Sequence, residues 1–112
     1  MKVNIRDYFK MLASCFSKIE ATNASFQRLR LEDATDEAFQ SILKLKTNGG
    51  KVIFIGNGGS AAIASHQAVD FWKNGGIRAI AFNDASLLTC ISNDYGYEHV
   101  FQKPVDMFAE SS

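Results

Sequence analysis

A single segment, residues 51–70, constrains the fold of this 112-residue chain more than any other part of it. It opens with the apolar, β-branched run Lys-Val-Ile-Phe-Ile at residues 51–55 and continues through the turn Gly-Asn-Gly-Gly-Ser at residues 56–60. A short continuous apolar run bounded by glycine is typical of a buried parallel strand. The residues after the turn have helical character and extend to about Lys73. The segment therefore predicts a strand, a tight turn and a helix, which is the repeating unit of an α/β fold.

The residues on either side of this segment extend the alternation of helices and strands. Apolar residues at three- and four-residue steps predict an amphipathic helix over residues 4–21, and a second helix is expected from near Thr35 to Asn48. These two helices are expected to pack as a hairpin. After the segment we expect a strand over residues 77–82, a helix over 86–92, a loop over 93–97 and a helix over 98–108.

The predicted sheet has an unusual size. Two strands are few for a parallel sheet, which normally has several strands and helices on both faces. We therefore expect a domain truncated after the second strand, or one that another chain completes. The helices of residues 1–48 would then precede the first part of an α/β domain over residues 49–112.

The glycine-rich turn and the helix after it contain the residues that most clearly indicate chemistry. Bare backbone N–H groups at a helix N-terminus form a site suited to phosphate or another anion. His66 and Asp70 are four residues apart on the predicted helix, so they project from the same face. A phosphate site beside this pair suggests a phosphorylated small molecule handled by acid–base or metal chemistry.

Composition excludes several other classes of protein. The twelve basic and twelve acidic side chains cancel, so no basic surface for nucleic acid is indicated. No apolar run of about 18 residues is present, which argues against a membrane span. Cys15 and Cys90 stand far apart without the spacing of a metal or redox motif, so a reducing cytoplasm is expected.

Each candidate residue also has a plainer interpretation, and the sequence leaves these open. The pattern Gly56-x-Gly58-x-x-Ala61, with Asp84 after the second strand, formally satisfies a dinucleotide-binding motif, although such a match by itself is weak. His66 and Asp70 would serve equally as a hydrogen-bonded surface pair. Residues 93–94 (Asn-Asp) would bind sugar hydroxyls or form a capping turn.

Taken together, the motifs resemble one family. The turn at residues 56–60 with His66 and Asp70, the block Asn-Asp-Ala-Ser at 83–86 and the block Cys-Ile-Ser-Asn-Asp-Tyr-Gly-Tyr at 90–97 are similar to the sugar isomerase (SIS) domain of phosphoheptose isomerases. The resemblance covers nearly the whole chain. It implies a flavodoxin-like, three-layer α/β sandwich with a parallel sheet, preceded by the helical hairpin, whose helices form the oligomer interface.

The resemblance also implies an activity and roles for individual residues. The family isomerises sedoheptulose 7-phosphate to D-glycero-D-manno-heptose 7-phosphate, for lipopolysaccharide or capsule, as a cytoplasmic homotetramer with a zinc ion in each subunit. His66 and Asp70 would be zinc ligands and catalytic groups, although Asp70 stands where the family has glutamate. By matched position the substrate would be bound by Asn57, Gly58, Gly59, Ser60, Asp70, Asn93 and Asp94.

The chain departs from the family pattern at its later positions. The serine-rich phosphate loop and the late glutamine and histidine of the family have no counterpart in these 112 residues. We therefore expect little isomerase activity from this chain by itself. The alternative to an enzyme is a non-catalytic SIS protein that senses phosphosugars or binds a protein partner, as the replication-initiator-associated relatives do.

Overall fold

The computed structural model describes residues 4–110, which form two compact units, one up to Gln40 and one from Ser41 onward. The proposed division at residue 48 stays a prediction. In chain order the elements are α1 (Ile5–Phe16), β1 (Ala21–Thr22), β2 (Arg28–Leu29), α2 (Leu31–Asn48), β3 (Val52–Phe54), α3 (Gly59–Lys73), β4 (Ala79–Ala81), α4 (Ala85–Tyr95), a 3₁₀ helix (Tyr97–His99) and α5 (Gln102–Phe108). No helix in the described range is long and apolar enough to cross a membrane.

The first unit contains a β-hairpin that the sequence analysis did not predict. Helix α1 begins at the cap Asn4, whose side chain accepts the Arg6 N–H, but it ends at Phe16 instead of continuing to residue 21. Strands β1 and β2 then pair antiparallel. The Asn23 side chain accepts the backbone N–H groups of Ser25 and Gln27, and this local turn connects the two strands.

Helix α2 begins four residues earlier than predicted. Its first turn contains Asp33, and the Arg30 guanidinium donates to both carboxylate oxygens of Asp33, over 2.8 and 2.6 Å. This contact holds the pKa of the Asp33 carboxyl below its usual range. The predicted end at Asn48 is confirmed.

The second unit contains the parallel sheet. Strands β3 and β4 pair in parallel, with Val52 opposite Ala79 and Phe54 opposite Ala81, so the predicted α/β class is confirmed, with strands shorter than expected. Helix α3 packs against both strands, and the Phe54 and Phe71 rings meet edge to face with centroids 5.0 Å apart. The buried apolar residues are Ala64, Ala68, Ile77, Phe82 and Val100.

The C-terminal part differs from the prediction at two places. Residues 93–95, predicted as part of a loop, form the last turn of α4, which ends only at Gly96 with a positive φ of 96°. The predicted single helix over 98–108 is a 3₁₀ turn followed by α5. Pro104 lies in the first turn of α5, where a missing backbone N–H removes no intrahelical hydrogen bond.

Candidate functional site

The candidate site lies where the two parallel strands end. Because β3 and β4 run in the same direction, their carboxyl ends share one edge of the sheet. Gly56 and the rest of the turn follow β3, and Asn83 and Asp84 follow β4. In open parallel sheets, ligands bind outside this edge. The fold therefore places the glycine-rich turn in the position where an α/β domain normally binds a ligand.

The turn itself is held by short backbone hydrogen bonds. The Ser60 N–H donates to the Asn57 carbonyl and the Ala61 N–H donates to the Gly58 carbonyl, both over 3.0 Å. Gly58 caps α3 with φ 58° and ψ −125°, a conformation that side chains with a Cβ adopt only with strain. A Cβ at Gly58 or Gly59 would meet nothing within 4 Å, so this side of the turn is open.

Gly56 serves a different purpose, which is close packing. A Cβ at Gly56 would lie 2.7 Å from the carbonyl carbon and oxygen of Ser60. The chain leaving β3 therefore passes directly against the first turn of α3. This approach fixes the helix N-terminus at the edge of the sheet, where its first N–H groups have no intrahelical acceptor.

Tyr97, which the sequence analysis did not assign to the site, contacts the turn. Its hydroxyl donates to Asn57 Oδ1 over 2.7 Å, joining residues forty positions apart. Asn57 Oδ1 is thus engaged. Tyr97 is part of the block that carried the family resemblance, but no spacing rule links a 3₁₀ turn to a glycine loop, so no local pattern predicts this contact.

The sequence analysis also did not predict that Asn83 links the end of β4 to α3. Its side-chain NH₂ donates to the Ala61 carbonyl over 2.8 Å and to Ser65 Oγ over 3.0 Å. Its Oδ1 is buried and has no partner among the described residues. The side chain thereby ties the end of β4 to the first turns of α3.

His66 and Asp70 are brought together, as their spacing predicted. His66 Nε2 lies 3.3 Å from Asp70 Oδ2, on the exposed side of α3, with 75% of the His66 side chain and 39% of the Asp70 side chain accessible. Asp70 Oδ1 also accepts the Asn74 side-chain NH₂ over 3.2 Å. The pair lies within ion-pair distance and stays open to solvent.

The donor set of this pair is too small for a complete zinc site. Zinc in proteins takes three or four protein ligands. Within residues 4–110, no cluster of three or more His, Cys, Asp or Glu side chains suited to a metal ion is present. His66 and Asp70 are placed to contribute two ligands, and any further ligands would have to come from outside the described residues.

The remaining predicted residues lie on α4. Asn93 and Asp94 are in its last turn, where the Asn93 NH₂ donates to Asp94 Oδ1 over 3.1 Å and the Cys90 thiol lies 3.6 Å from Asp94 Oδ2. No hydrogen bond in the described chain joins either residue to the glycine turn. Asp84, the acid of the dinucleotide motif, caps α4 by accepting the Leu87 N–H over 3.0 Å. Its side chain is thus used within the fold.

An apolar groove of the second unit lies away from the turn. It has a volume of about 390 Å³ and runs beside β3, lined by residues that include Leu45, Ile53, Ile55 and Val105. Its lining is largely apolar and holds no member of the glycine turn, of the His66 and Asp70 pair or of the end of α4. A phosphorylated sugar is better matched by the open, polar edge of the sheet.

Several known proteins are similar to this chain in sequence, and a solved structure is similar to it in fold. Phosphoheptose isomerase of Helicobacter hepaticus is 38% identical over 84% of this chain and 52% of its own length, and that of Aneurinibacillus thermoaerophilus is 37% identical over 88% and 52%. The solved structure of phosphoheptose isomerase GmhA from Neisseria gonorrhoeae is 41% identical, with a TM-score of 0.62, over 69% of this chain and 42% of that one. Over most of its length the chain is therefore similar to part of the phosphoheptose isomerases.

This finding confirms the resemblance to phosphoheptose isomerases and the SIS-type α/β fold expected from the motifs. No family model matches the chain. The chain spans about half the length of the curated phosphoheptose isomerases it matches. It therefore corresponds to a part of their fold.

Proposed function

We propose that the protein containing this chain is an aldose–ketose phosphate isomerase that converts sedoheptulose 7-phosphate to D-glycero-D-manno-heptose 7-phosphate, in heptose synthesis for lipopolysaccharide or capsule. One observation carries the proposal. An open glycine turn lies at the carboxyl edge of the parallel sheet, in a chain 38% identical to a named phosphoheptose isomerase. The turn offers backbone N–H groups and the Asn57 side chain to the oxygens of a phosphosugar.

The reaction moves a proton between neighbouring carbons through an enediol, so it needs a base and an acid beside the bound sugar. Asp70 is the base that α3 offers, and His66, 3.3 Å away, holds or receives the proton. Asn57, Gly58, Gly59 and Ser60 bind the substrate from the turn. Asn93, Asp94 and Asp70 complete the substrate-binding set in this proposal.

Zinc is a further element of the proposal, with one ion per subunit of a cytoplasmic homotetramer. His66 and Asp70 would hold it together with ligands from outside residues 4–110, and it would stabilise a developing oxyanion. Because the described residues supply two ligands, no step is assigned to the ion here. Zinc bound per subunit by the full-length protein, measured with and without His66→Ala, tests this element.

The activity is tested with the full-length protein and sedoheptulose 7-phosphate, following aldose product by coupled assay. We expect turnover that Asn57→Ala and Asp70→Asn both lower, while Asp106→Asn, at an exposed position of α5, leaves it unchanged. Residues 1–112 by themselves are expected to turn over little substrate. Binding of the phosphosugar without turnover by the full-length protein would contradict the isomerase and favour the phosphosugar-sensing alternative.

A further inference from the structure

Two tyrosines close together in sequence have different surroundings in the structure. Tyr95, in the last turn of α4, has its ring 4.5 Å from the Lys103 ammonium, and no hydrogen bond of its hydroxyl is found among residues 4–110. Tyr97 opens the 3₁₀ turn, and its hydroxyl donates to Asn57 Oδ1. The rings are similarly exposed, at 57% and 55%. Of these two tyrosines, Tyr97 is therefore the one that contacts the glycine turn.

The hydrogen bond determines what Asn57 offers to a ligand. A side-chain amide has an oxygen that accepts and an NH₂ that donates twice. Because Oδ1 accepts from Tyr97 over 2.7 Å, the NH₂ is directed away from the tyrosine. No hydrogen bond of this NH₂ is found among residues 4–110, so the Asn57 side chain offers donors to a ligand at the turn. An Asn57 side chain rotated by half a turn would instead place an acceptor oxygen there, which an anionic oxygen would avoid.

We propose that Tyr97 is a positioning residue that orients the Asn57 amide, so that its NH₂ donates to a substrate oxygen bound at the glycine turn. The proposal rests on the turn being the phosphosugar site proposed above. Tyr97 acts through Asn57 and does not itself touch the substrate. Gly96, with φ 96°, precedes it and directs the chain out of α4 toward the turn.

The kinetic test is Tyr97→Phe in the full-length protein, assayed with sedoheptulose 7-phosphate. Losing one hydrogen bond that orients a binding group should raise KM by about 2- to 10-fold and leave kcat nearly unchanged. A merely structural defect would lower the active fraction, and hence kcat, without raising KM. Tyr95→Phe removes the same hydroxyl from the neighbouring tyrosine and should change neither constant.

A double-mutant cycle distinguishes positioning from an independent contact. In an Asn57→Ala background, Tyr97→Phe should have no further effect on KM, because the group it orients is gone. If Tyr97→Phe leaves KM unchanged in the wild type, or raises it equally in the Asn57→Ala background, the proposal is wrong.

The Asn57 side-chain NH₂ resonances in the ¹⁵N spectrum give a readout that needs no turnover. Tyr97→Phe should move them toward the positions of freely exposed amides, and Tyr95→Phe should leave them in place. Unmoved Asn57 resonances in Tyr97→Phe would overturn the positioning role even in an active enzyme. Moved resonances in a protein without isomerase activity would leave the positioning contact intact and contradict the proposed function alone.

Discussion

Replacing Gly56 by alanine tests the packing that fixes the candidate site. The added Cβ would lie 2.7 Å from the backbone carbonyl of Ser60 and 2.9 Å from the Ser60 Cβ. The obstructing atoms belong to the first turn of α3, so they cannot move aside as the end of a flexible side chain would. Overpacking of this kind costs about 1 to 3 kcal/mol of the free energy of unfolding.

Gly59→Ala is the matched control, because it adds the same methyl group three residues later. Its Cβ would meet nothing within 4 Å, and Gly59 is the first residue of α3. Replacing glycine at a compatible helical position stabilises a protein by about 0.4 to 1 kcal/mol. The free energies of unfolding of the two variants should therefore differ by about 1.4 to 4 kcal/mol, with Gly59→Ala the more stable of the two.

The assay is urea unfolding at 25 °C of the wild type and both variants, with the m-values compared first so that midpoints report stability. We expect the midpoint of Gly56→Ala to fall and that of Gly59→Ala to stay or rise. If the free energy of unfolding of Gly56→Ala is within about 0.5 kcal/mol of the wild type, the close approach of β3 and α3 does not hold the turn.

Two further predictions concern contacts around the sheet. Asn83→Ala removes the donor to the Ala61 carbonyl and should lower the free energy of unfolding by about 1 to 3 kcal/mol in urea titrations. Asn74→Ala, at an exposed position, should lower it by less than about 0.5 kcal/mol. Equal effects of the two substitutions would contradict the link between β4 and α3. Lys51 donates to Glu110 over 2.6 Å and lowers the pKa of that carboxyl, so this contact stabilises the fold above the ordinary glutamate pKa and is lost as the pH falls through the lowered value. The difference in free energy of unfolding between wild type and Glu110→Gln should therefore shrink on acidification. A difference that stays constant with pH would refute the stabilising role of the contact between Lys51 and Glu110.

The parts of the fold that were predicted correctly depend on local patterns. The β-branched run before glycine gave β3, and the spacing of His66 and Asp70 placed them on one face of α3. The end of α2 at Asn48 followed from the two glycines after it. These patterns are predictive because each one lies within a short stretch of sequence and does not depend on contacts with distant residues.

The errors arose where local alternatives compete or distant residues meet. The Asn23 side chain accepts backbone N–H groups in the turn between β1 and β2, so a β-hairpin follows α1 in a sequence whose apolar spacing continued to Ile19. Asn93 and Asp94 are common in turns, yet they form the last turn of α4 because Gly96 supplies the termination.

The site was predicted in part for the same reason. The turn before α3 and the proximity of His66 and Asp70 were predicted, because the turn residues are contiguous and the pair lies on one helix. The contacts of Tyr97 with Asn57 and of Asn83 with Ala61 join positions forty and twenty-two residues apart, and only the folded chain brings them together. The zinc ion and the binding or catalytic roles of the turn residues, of His66 and Asp70, and of Asn93 and Asp94 stay predictions.

The central claim is that the glycine turn at the carboxyl edge of β3 and β4 binds a phosphosugar. The most direct measurement is a titration of the ¹⁵N-labelled full-length protein with sedoheptulose 7-phosphate, following assigned backbone and side-chain amides. The account predicts that the largest shifts fall on Asn57, Gly58 and Gly59, and that sedoheptulose without phosphate produces much smaller ones. Shifts concentrated in the apolar groove beside β3, around Leu45 and Ile53, with the turn unaffected, would contradict it.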